Sequence, residues 1–156
     1  MPAATPKFIA GAMLGRLATW LRLLGLDVVC DPHCSDVSLL RRAFAEGRIL
    51  LTRDTRMLRR RHLPPYLYIQ ADDFRAQLRQ VVEAYAIDPS AHCFERCARC
   101  NVTLTPLARA AVRGAVPPYV WATQTRFSQC PRCQRIYWPA THVDRMRAEL
   151  SQLPSA

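Results

Sequence analysis

Four cysteines in the second half of the chain have the spacing of a metal site. They form two pairs, Cys97 with Cys100 and Cys130 with Cys133, and two residues separate the thiols of each pair. This spacing lets both thiols of a pair face one tetrahedral position, and four thiolates are the ligands of a closed structural Zn²⁺ site. The sequence therefore predicts a structural four-cysteine zinc site with no coordination position left for catalysis.

Three further cysteines lie outside this pattern. Cys30 and Cys34 flank His33 and offer a second metal site as an alternative, although three residues between two thiols is a less typical ligand spacing. Cys93 is interpreted as an ordinary packed thiol, because four ligands already complete the zinc site. An odd number of cysteines, four of them in metal spacing, favours a reducing cytoplasm over a disulfide framework.

Aspartates form the second group that could do chemistry. Five of the nine acidic residues in residues 1–92 follow predicted strands: Asp31, Asp36, Asp54, Asp72 and Asp73. Converging carboxylates bind Mg²⁺ or Mn²⁺ together with waters, and such an ion activates water and stabilises the charge that develops on a phosphodiester. For Asp36 and Asp73 the alternative is a purely structural role as helix N-caps.

An alternation of strands and helices must position these acids. Apolar runs predict strands at 7–10, 27–30, 48–51 and 66–69, and amphipathic spacing predicts helices at 13–24, 36–46 and 74–86. This order indicates an α/β fold with a parallel sheet, in which ligands bind at the carboxyl ends of the strands. We expect an α/β domain over residues 1–90 and a zinc-ribbon module with a terminal helix over residues 91–156.

The helix predicted at 36–46 has recognisable ends and an apolar stripe. Ser35 or Asp36 serves as its N-cap. The three- and four-residue steps between Val37, Leu40 and Phe44 predict that these side chains form its buried face.

The charge of the chain favours a nucleic-acid partner. The net charge is +10, and 21 of the 22 basic residues are arginine. Arginine binds phosphates bidentately and stacks on bases, so we expect RNA or DNA to be bound, with a merely solvated basic surface as the alternative. Residues 93–156 carry 9 basic and 3 acidic residues, so this shorter part is the more basic one. The longest apolar run is too short for a membrane span, and we expect a soluble protein.

Aromatic residues are interleaved with arginines near the second cysteine pair. They are Trp121, Phe127, Tyr137 and Trp138. Such side chains stack on single-stranded RNA in some proteins and form the small core of a ribbon in others. We favour the core for Phe127 and Tyr137 and leave Trp121 open.

Blocks along almost the whole chain resemble one known family. They are Phe8 to Ala18 with Trp20-Leu21-Arg22 and Leu24-Gly25, Gly47 to Asp54, Gln77-Leu78, Arg96 to Asn101, and Cys130 to Cys133 with Tyr137-Trp138 and His142. From about Lys7 to Met146 the chain is similar to the PIN-like RNase domain named from the C-terminus of the mut-seven exonuclease, with its fused zinc ribbon. The resemblance implies a PIN-like fold, acid-bound Mg²⁺ or Mn²⁺ and cleavage of RNA.

The resemblance also implies roles for particular residues. Asp36 and Asp54 fall at positions where the family carries acids and are therefore expected to bind the catalytic metal, while Asp72 or Asp73 is a looser match.

Arg16, Arg22 and Arg53 match basic positions of the family and are predicted to contact RNA phosphates, with a solvated helix face as the alternative for Arg16 and Arg22. We add Lys7 as a fourth candidate RNA contact.

One position departs from the family. Gly11 stands where the family usually has the aspartate of the first strand. The chain is then a binder that has lost cleavage, a nuclease that uses a shifted acid such as Asp31, or a nuclease disabled by a deliberate change. The primary hypothesis is a metal-dependent ribonuclease acting on single-stranded or structured RNA, impaired at Gly11. The alternatives are a non-catalytic RNA-binding protein and a toxin-type RNase controlled by a protein partner.

Overall fold

A four-stranded parallel sheet organises the first half of the chain. The computed structural model describes residues 4–139 and 141–151. Strands β1 (Phe8–Ala10), β2 (Val28–Cys30), β3 (Ile49–Thr52) and β4 (Tyr66–Tyr68) pair in the order β2-β1-β3-β4, all in parallel. The mixed α/β architecture with a parallel sheet is therefore confirmed, and β1 lies between β2 and β3.

Helices cover both faces of this sheet. The α-helices of the described chain are α1 (Gly15–Leu23), α2 (Asp36–Glu46), α3 (Phe74–Ala84), α4 (Pro118–Thr123) and α5 (Thr141–Ser151). Because side chains alternate along a strand, Phe8 and Ala10 of β1 join the core under α1 and α3, whereas Ile9 joins a second core under α2. No helix among the described residues is long and apolar enough to cross a membrane.

Helix α2 buries a different face from the one expected. Val37 and Phe44 are 52% and 53% exposed, whereas Leu39, Leu40 and Ala43 are buried against the sheet. Leu40 belongs to both possible stripes, so its burial does not decide between them. The observed orientation buries two adjacent leucines and turns the small Ala43 toward the sheet, which lets the helix approach closely.

The second half contains the predicted ribbon. Strands β5 (Thr105–Leu107), β6 (Phe127–Gln129) and β7 (Ile136–Tyr137) form an antiparallel sheet in the order β5-β6-β7. A small cluster of valines with Phe127 lies next to this sheet.

The terminal helix packs back on the first half. Met146 and Leu150 of α5 belong to the same buried cluster as Leu17 of α1, and Arg75 of α3 pairs with Glu149 at 3.0 Å. The segments on the two sides of residues 90 and 91 therefore share a core.

Candidate active site and metal centre

Gly11 lies at the centre of the carboxyl edge of the parallel sheet. Its amide donates to the carbonyl oxygen of Leu51 at the end of β3 (3.1 Å). On the other side, the thiol of Cys30 at the end of β2 donates a weak hydrogen bond to the carbonyl oxygen of Gly11 (3.8 Å). Position 11 thus sits between the strand ends that precede the predicted acids.

The fold does not require a glycine at this position. Gly11 has φ −63° and ψ 160°, an extended conformation that any residue adopts. A Cβ atom here would meet only the carbonyl oxygen of Leu51, at an ordinary contact distance of 3.9 Å. Backbone and space both suit the aspartate that the resemblance leads one to expect.

Asp54, two residues after the end of β3, is held ionised. Its amide donates to Oγ1 of Thr52 (3.0 Å), and its Oδ1 accepts from the amide of Arg56 (2.9 Å). The hydrogen bond from the Arg56 amide lowers the pKa of Asp54, and the Arg56 guanidinium, 3.6 Å away, acts in the same direction. The side chain is 30% exposed and therefore accessible at the sheet edge.

Asp36 is not needed as a helix cap. Ser35 is the N-cap of α2, and its Oγ accepts from the amide of Ser38 at 3.2 Å. Asp36 is the first residue of the helix, is exposed, and makes no hydrogen bond or ion pair with another described residue. The capping alternative is therefore wrong for Asp36, whose exposed carboxylate remains available at the start of α2.

Asp72 and Asp73 have other partners. Asp73 is the N-cap of α3 and accepts from the amide of Ala76 at 3.2 Å. Asp72 pairs with the guanidinium of Arg53, whose Nη1 also donates to the carbonyl oxygen of Ala71 (2.7 Å). Both aspartates follow β4, which occupies the end of the sheet farthest from β2. The contacts give them and Arg53 the role of shaping this loop.

The acids do not form a compact cluster. Within residues 4–139 and 141–151, the one group of three or more His, Cys, Asp or Glu side chains with ligand atoms mutually within 4.8 Å is the cysteine tetrad. The triplet Cys30, His33 and Cys34 therefore forms no such site. Mg²⁺ is commonly held by one or two carboxylates plus substrate phosphate oxygens. The carboxylate oxygens of Asp36 and Asp54 are therefore suitable ligands for a catalytic divalent cation. Gly11, where the family resemblance leads one to expect a third carboxylate, has no side chain to contribute.

The basic residues predicted to contact RNA differ in placement. The Arg16 guanidinium is exposed and lies 3.8 Å from the ring centre of Phe74. Lys7 is also exposed but precedes β1, so at about 3.3 Å per residue it lies roughly 13 Å from Gly11, at the opposite edge of the sheet. Lys7 is therefore far from the carboxyl edge, and its contact with RNA stays a prediction.

Arg22 has a structural role that the sequence does not reveal. It is 8% exposed, its Nε donates to the carbonyl oxygen of Val28 (2.8 Å), and its Nη1 donates to those of Ala98 and Arg99 (3.0 and 3.3 Å). The predicted solvated helix face is wrong for Arg22. A role as a freely presented phosphate contact does not fit either, because its donors fasten α1 to β2 and to the first cysteine pair.

The four predicted zinc ligands do come together. The Sγ atoms of Cys97, Cys100, Cys130 and Cys133 all lie within 4.8 Å of one another, and Cys97 and Cys130 are fully buried. In each pair the amide of the second cysteine donates to the sulfur of the first, at 3.3 Å in one pair and 3.4 Å in the other.

Each pair closes with the same turn. Asn101 and Gln134, the residues that follow the pairs, have φ values of 63° and 67° and donate their amides to the carbonyls of Cys97 and Cys130. The two knuckles, residues 97–101 and 130–134, are thus structural repeats.

The electrostatics of the tetrad favour a cation. Burial opposes ionisation of Cys97, but hydrogen bonds from the Tyr137 hydroxyl and the Cys100 amide outweigh it and lower the pKa of Cys97 to about 7. Burial and the neighbouring thiols raise the pKa of Cys100 to about 12. Because adjacent thiols do not all ionise without compensation, the tetrad is suited to a structural divalent metal such as zinc.

Asn101 joins the two halves of the chain through its side chain. The side chain of Asn101 accepts from the Val28 amide (3.0 Å) and donates to Oδ1 of Asp27 (2.7 Å). Arg48 then binds both oxygens of Asp27 at 2.8 and 3.3 Å. In the sequence, the position of Asn101 directly after the first Cys-x-x-Cys pair was the feature that could have indicated this link.

The aromatic residues of the ribbon are mostly structural. Phe127 and Tyr137 are buried, as expected for a ribbon core. Trp121, which was left open, donates from Nε1 to the Arg109 carbonyl (3.0 Å) and has the Arg109 guanidinium 3.9 Å from its ring centre. The side chain of His142 lies outside the described part of the chain.

Comparison with known proteins agrees with this arrangement. The family profile of the Mut7-C RNAse domain matches residues 6–150, a span that includes both the parallel sheet and the cysteine tetrad. No curated protein and no solved structure gives a significant match. Since the match covers nearly the whole chain, the protein belongs to the Mut7-C RNAse domain family, and this membership indicates a nuclease- or RNA-related role.

Proposed function

We propose that this chain is a metal-dependent ribonuclease of reduced activity, with its catalytic centre at the carboxyl edge of the parallel sheet. The observation that carries the proposal is the placement of Asp36 and Asp54 after the two strands that flank position 11. In open parallel sheets this edge is where ligands bind. Family membership supports RNA as the substrate class.

The residues of the edge have distinct tasks in this proposal. Mg²⁺ or Mn²⁺, when bound, would supply an activated water and neutralise charge on the phosphodiester. Asp54 is a suitable ligand because the Arg56 amide keeps its carboxylate ionised. Asp36 is a second ligand, left free by the Ser35 cap. Arg16, held over Phe74, is placed to orient a phosphate by charge-assisted hydrogen bonds.

Gly11 favours a second candidate function. A metal held by two carboxylates where a third is expected is bound weakly, and cleavage slows accordingly. Among the described residues no three acids have ligand atoms mutually within 4.8 Å, which also favours weak metal binding. An RNA-binding protein without cleavage is therefore the alternative.

One experiment separates the two functions. Mn²⁺-dependent cleavage of a labelled single-stranded RNA is measured for the unchanged chain, Gly11→Asp and Asp54→Asn. Asp144→Asn, on the exposed surface of α5, is the matched control. We expect slow cleavage by the unchanged chain, a rise of about tenfold or more in Gly11→Asp, and none above background in Asp54→Asn.

Two other outcomes would support a different function. Activity in Gly11→Asp alone would identify a disabled nuclease. No cleavage by any variant, with salt-dependent RNA binding by all of them, would establish the binding protein instead.

A further inference from the structure

We propose that a basic cleft between the end of β2 and the two cysteine knuckles binds the phosphate backbone of RNA. The inference deepens the proposed function and rests on it. The cleft has a volume of about 460 Å³. Its basic lining residues, which define the knuckle cleft, are Arg22, Arg42, Arg99 and Arg132.

The charge of the knuckle cleft is strongly one-sided. Asp31 is the one acidic residue among its lining residues, against four arginines. Arg42 is partly neutralised by Glu46 (2.9 Å), and Arg22 is engaged with backbone carbonyls. Apart from Cys100 of the cysteine tetrad, the lining side chains carry a formal charge of +3, from four arginines and one aspartate, and this excess attracts a polyanion.

Two of the arginines are free to bind a ligand. Arg99 and Arg132 are exposed, and neither guanidinium makes a hydrogen bond or an ion pair with a residue in the described part of the chain. Both occupy the third position of a Cys-x-Arg-Cys knuckle, so the paired turns present them from the same metal centre. An unpaired guanidinium on a rigid support is well suited to bidentate phosphate binding.

The walls of the cleft are fixed relative to each other. Arg22 joins the first knuckle to α1 through the carbonyls of Ala98 and Arg99. The Asn101 side chain joins the same knuckle to the Val28 amide of β2. The backbone from which Arg99 extends is consequently held by the fold before RNA binds, which removes part of the entropy cost of binding.

The knuckle cleft also opens beside the proposed catalytic edge. Cys30 lines the cleft, and its thiol lies 3.8 Å from the carbonyl oxygen of Gly11. Asp31, the next lining residue, follows β2 at the same edge. A strand of RNA held by Arg99 and Arg132 therefore passes next to position 11, which makes the ribbon part of the substrate path.

Removal of the two free guanidiniums tests the proposal. The double variant Arg99→Ala/Arg132→Ala is compared with Arg79→Ala/Arg145→Ala, which removes the same charge from exposed helix positions. Binding of a fluorescein-labelled oligouridine RNA is measured by fluorescence anisotropy over a series of KCl concentrations. We expect the cleft variant to bind about tenfold or more weaker than the control. The slope of log K against log[KCl] should shrink by about 0.7 for each lost contact.

The competing explanation is that these arginines only compensate the charge of the zinc-bound thiolates. Zinc content is therefore measured in every variant, and Arg99→Lys/Arg132→Lys keeps the charge but removes the bidentate fork. Full zinc content with weakened RNA binding in both cleft variants supports the proposal. Loss of zinc in the alanine variant, or RNA binding equal to that of the control, would overturn it. If the unchanged chain binds no RNA, the proposed function itself fails.

Discussion

The two sites of this protein, the cysteine tetrad and the carboxyl edge, differ in how complete they are. The tetrad brings four ligand atoms within 4.8 Å of one another and surrounds them with backbone donors. The edge places Asp36 and Asp54 after the strands on either side of β1, and among the described residues no three acids there have ligand atoms mutually within 4.8 Å. A compact four-cysteine site and the more open edge that we propose as the catalytic centre thus occur in the same small fold.

The difference follows from how each site is built. Each knuckle needs only five consecutive residues and a turn with positive φ, so its geometry is largely local. The proposed catalytic edge needs three strand ends in the right order, because Asp36, Gly11 and Asp54 follow three different strands. The geometry of the cysteine tetrad therefore depends mainly on local sequence, whereas the proposed catalytic edge depends on the order of the strands.

Of the changes considered, removal of one thiol of the tetrad should have the largest effect on the protein. Cys130→Ser leaves three ligands, and structural zinc contributes on the order of 10 kcal/mol to the folding of small zinc modules. We expect the zinc content to fall from one per chain toward none, with loss of ordered structure in the ribbon. Metal analysis and NMR spectra provide the measurement.

Cys93→Ser is the control for this change, because Cys93 packs near the first core and lies outside the tetrad. Full zinc content in Cys130→Ser would contradict the four-ligand site.

Replacement by alanine should destabilise the fold strongly at Gly25 and hardly at all at Gly11. Gly25 has φ +91°, and a Cβ atom would approach the His92 carbonyl oxygen to 2.1 Å. The conformational strain and the overlap together should lower the free energy of unfolding by about 3 kcal/mol or more. Gly11→Ala meets neither problem and should change it by less than about 1 kcal/mol. Chemical denaturation of both variants measures the difference, and equal stabilities would refute the close approach at His92.

The link between the two sites can be broken at Asn101. Asn101→Ala leaves the Val28 amide and one interaction of Asp27 without a partner, which should cost about 2 kcal/mol of stability. Gln134→Ala is the matched control, since Gln134 has the same positive φ after the second knuckle but an exposed side chain. Equal effects in urea denaturation would show that the Asn101 side chain does not connect the halves.

A smaller effect is expected from acid. Burial raises the pKa of Asp27, but hydrogen bonds from Arg48 and Asn101 outweigh it and lower the pKa below the ordinary value of 3.8. A lowered native pKa means that Asp27 stabilises the fold above the unfolded-state pKa and loses this contribution as the pH falls through the native value.

The stability of the unchanged chain should therefore fall more steeply below about pH 5 than that of Asp27→Asn. Denaturation midpoints over a pH series measure the two slopes, with Asp88→Asn as the control in an exposed turn. Identical slopes would argue against the Asp27 network.

Much of the architecture was predictable because it depends on local signals. The strand and helix alternation, the N-cap options at Ser35 and Asp73, and the Cys-x-x-Cys pairs are all short-range patterns. The buried face of α2 was not predictable, since Leu40 fits two stripes and only contact with the sheet decides between them.

The sequence by itself determined the metal centre, since the spacing of four cysteines is nearly sufficient for tetrahedral binding. Only the tertiary structure decided which charged residues are free. It buried Arg22 between α1 and the first knuckle, engaged Asp72 with Arg53, and left Asp36 and Arg99 without partners in the described chain. The physical reason is that hydrogen bonding and burial of a side chain depend on neighbours distant in sequence, and in these cases those neighbours come from other strands, helices and knuckles.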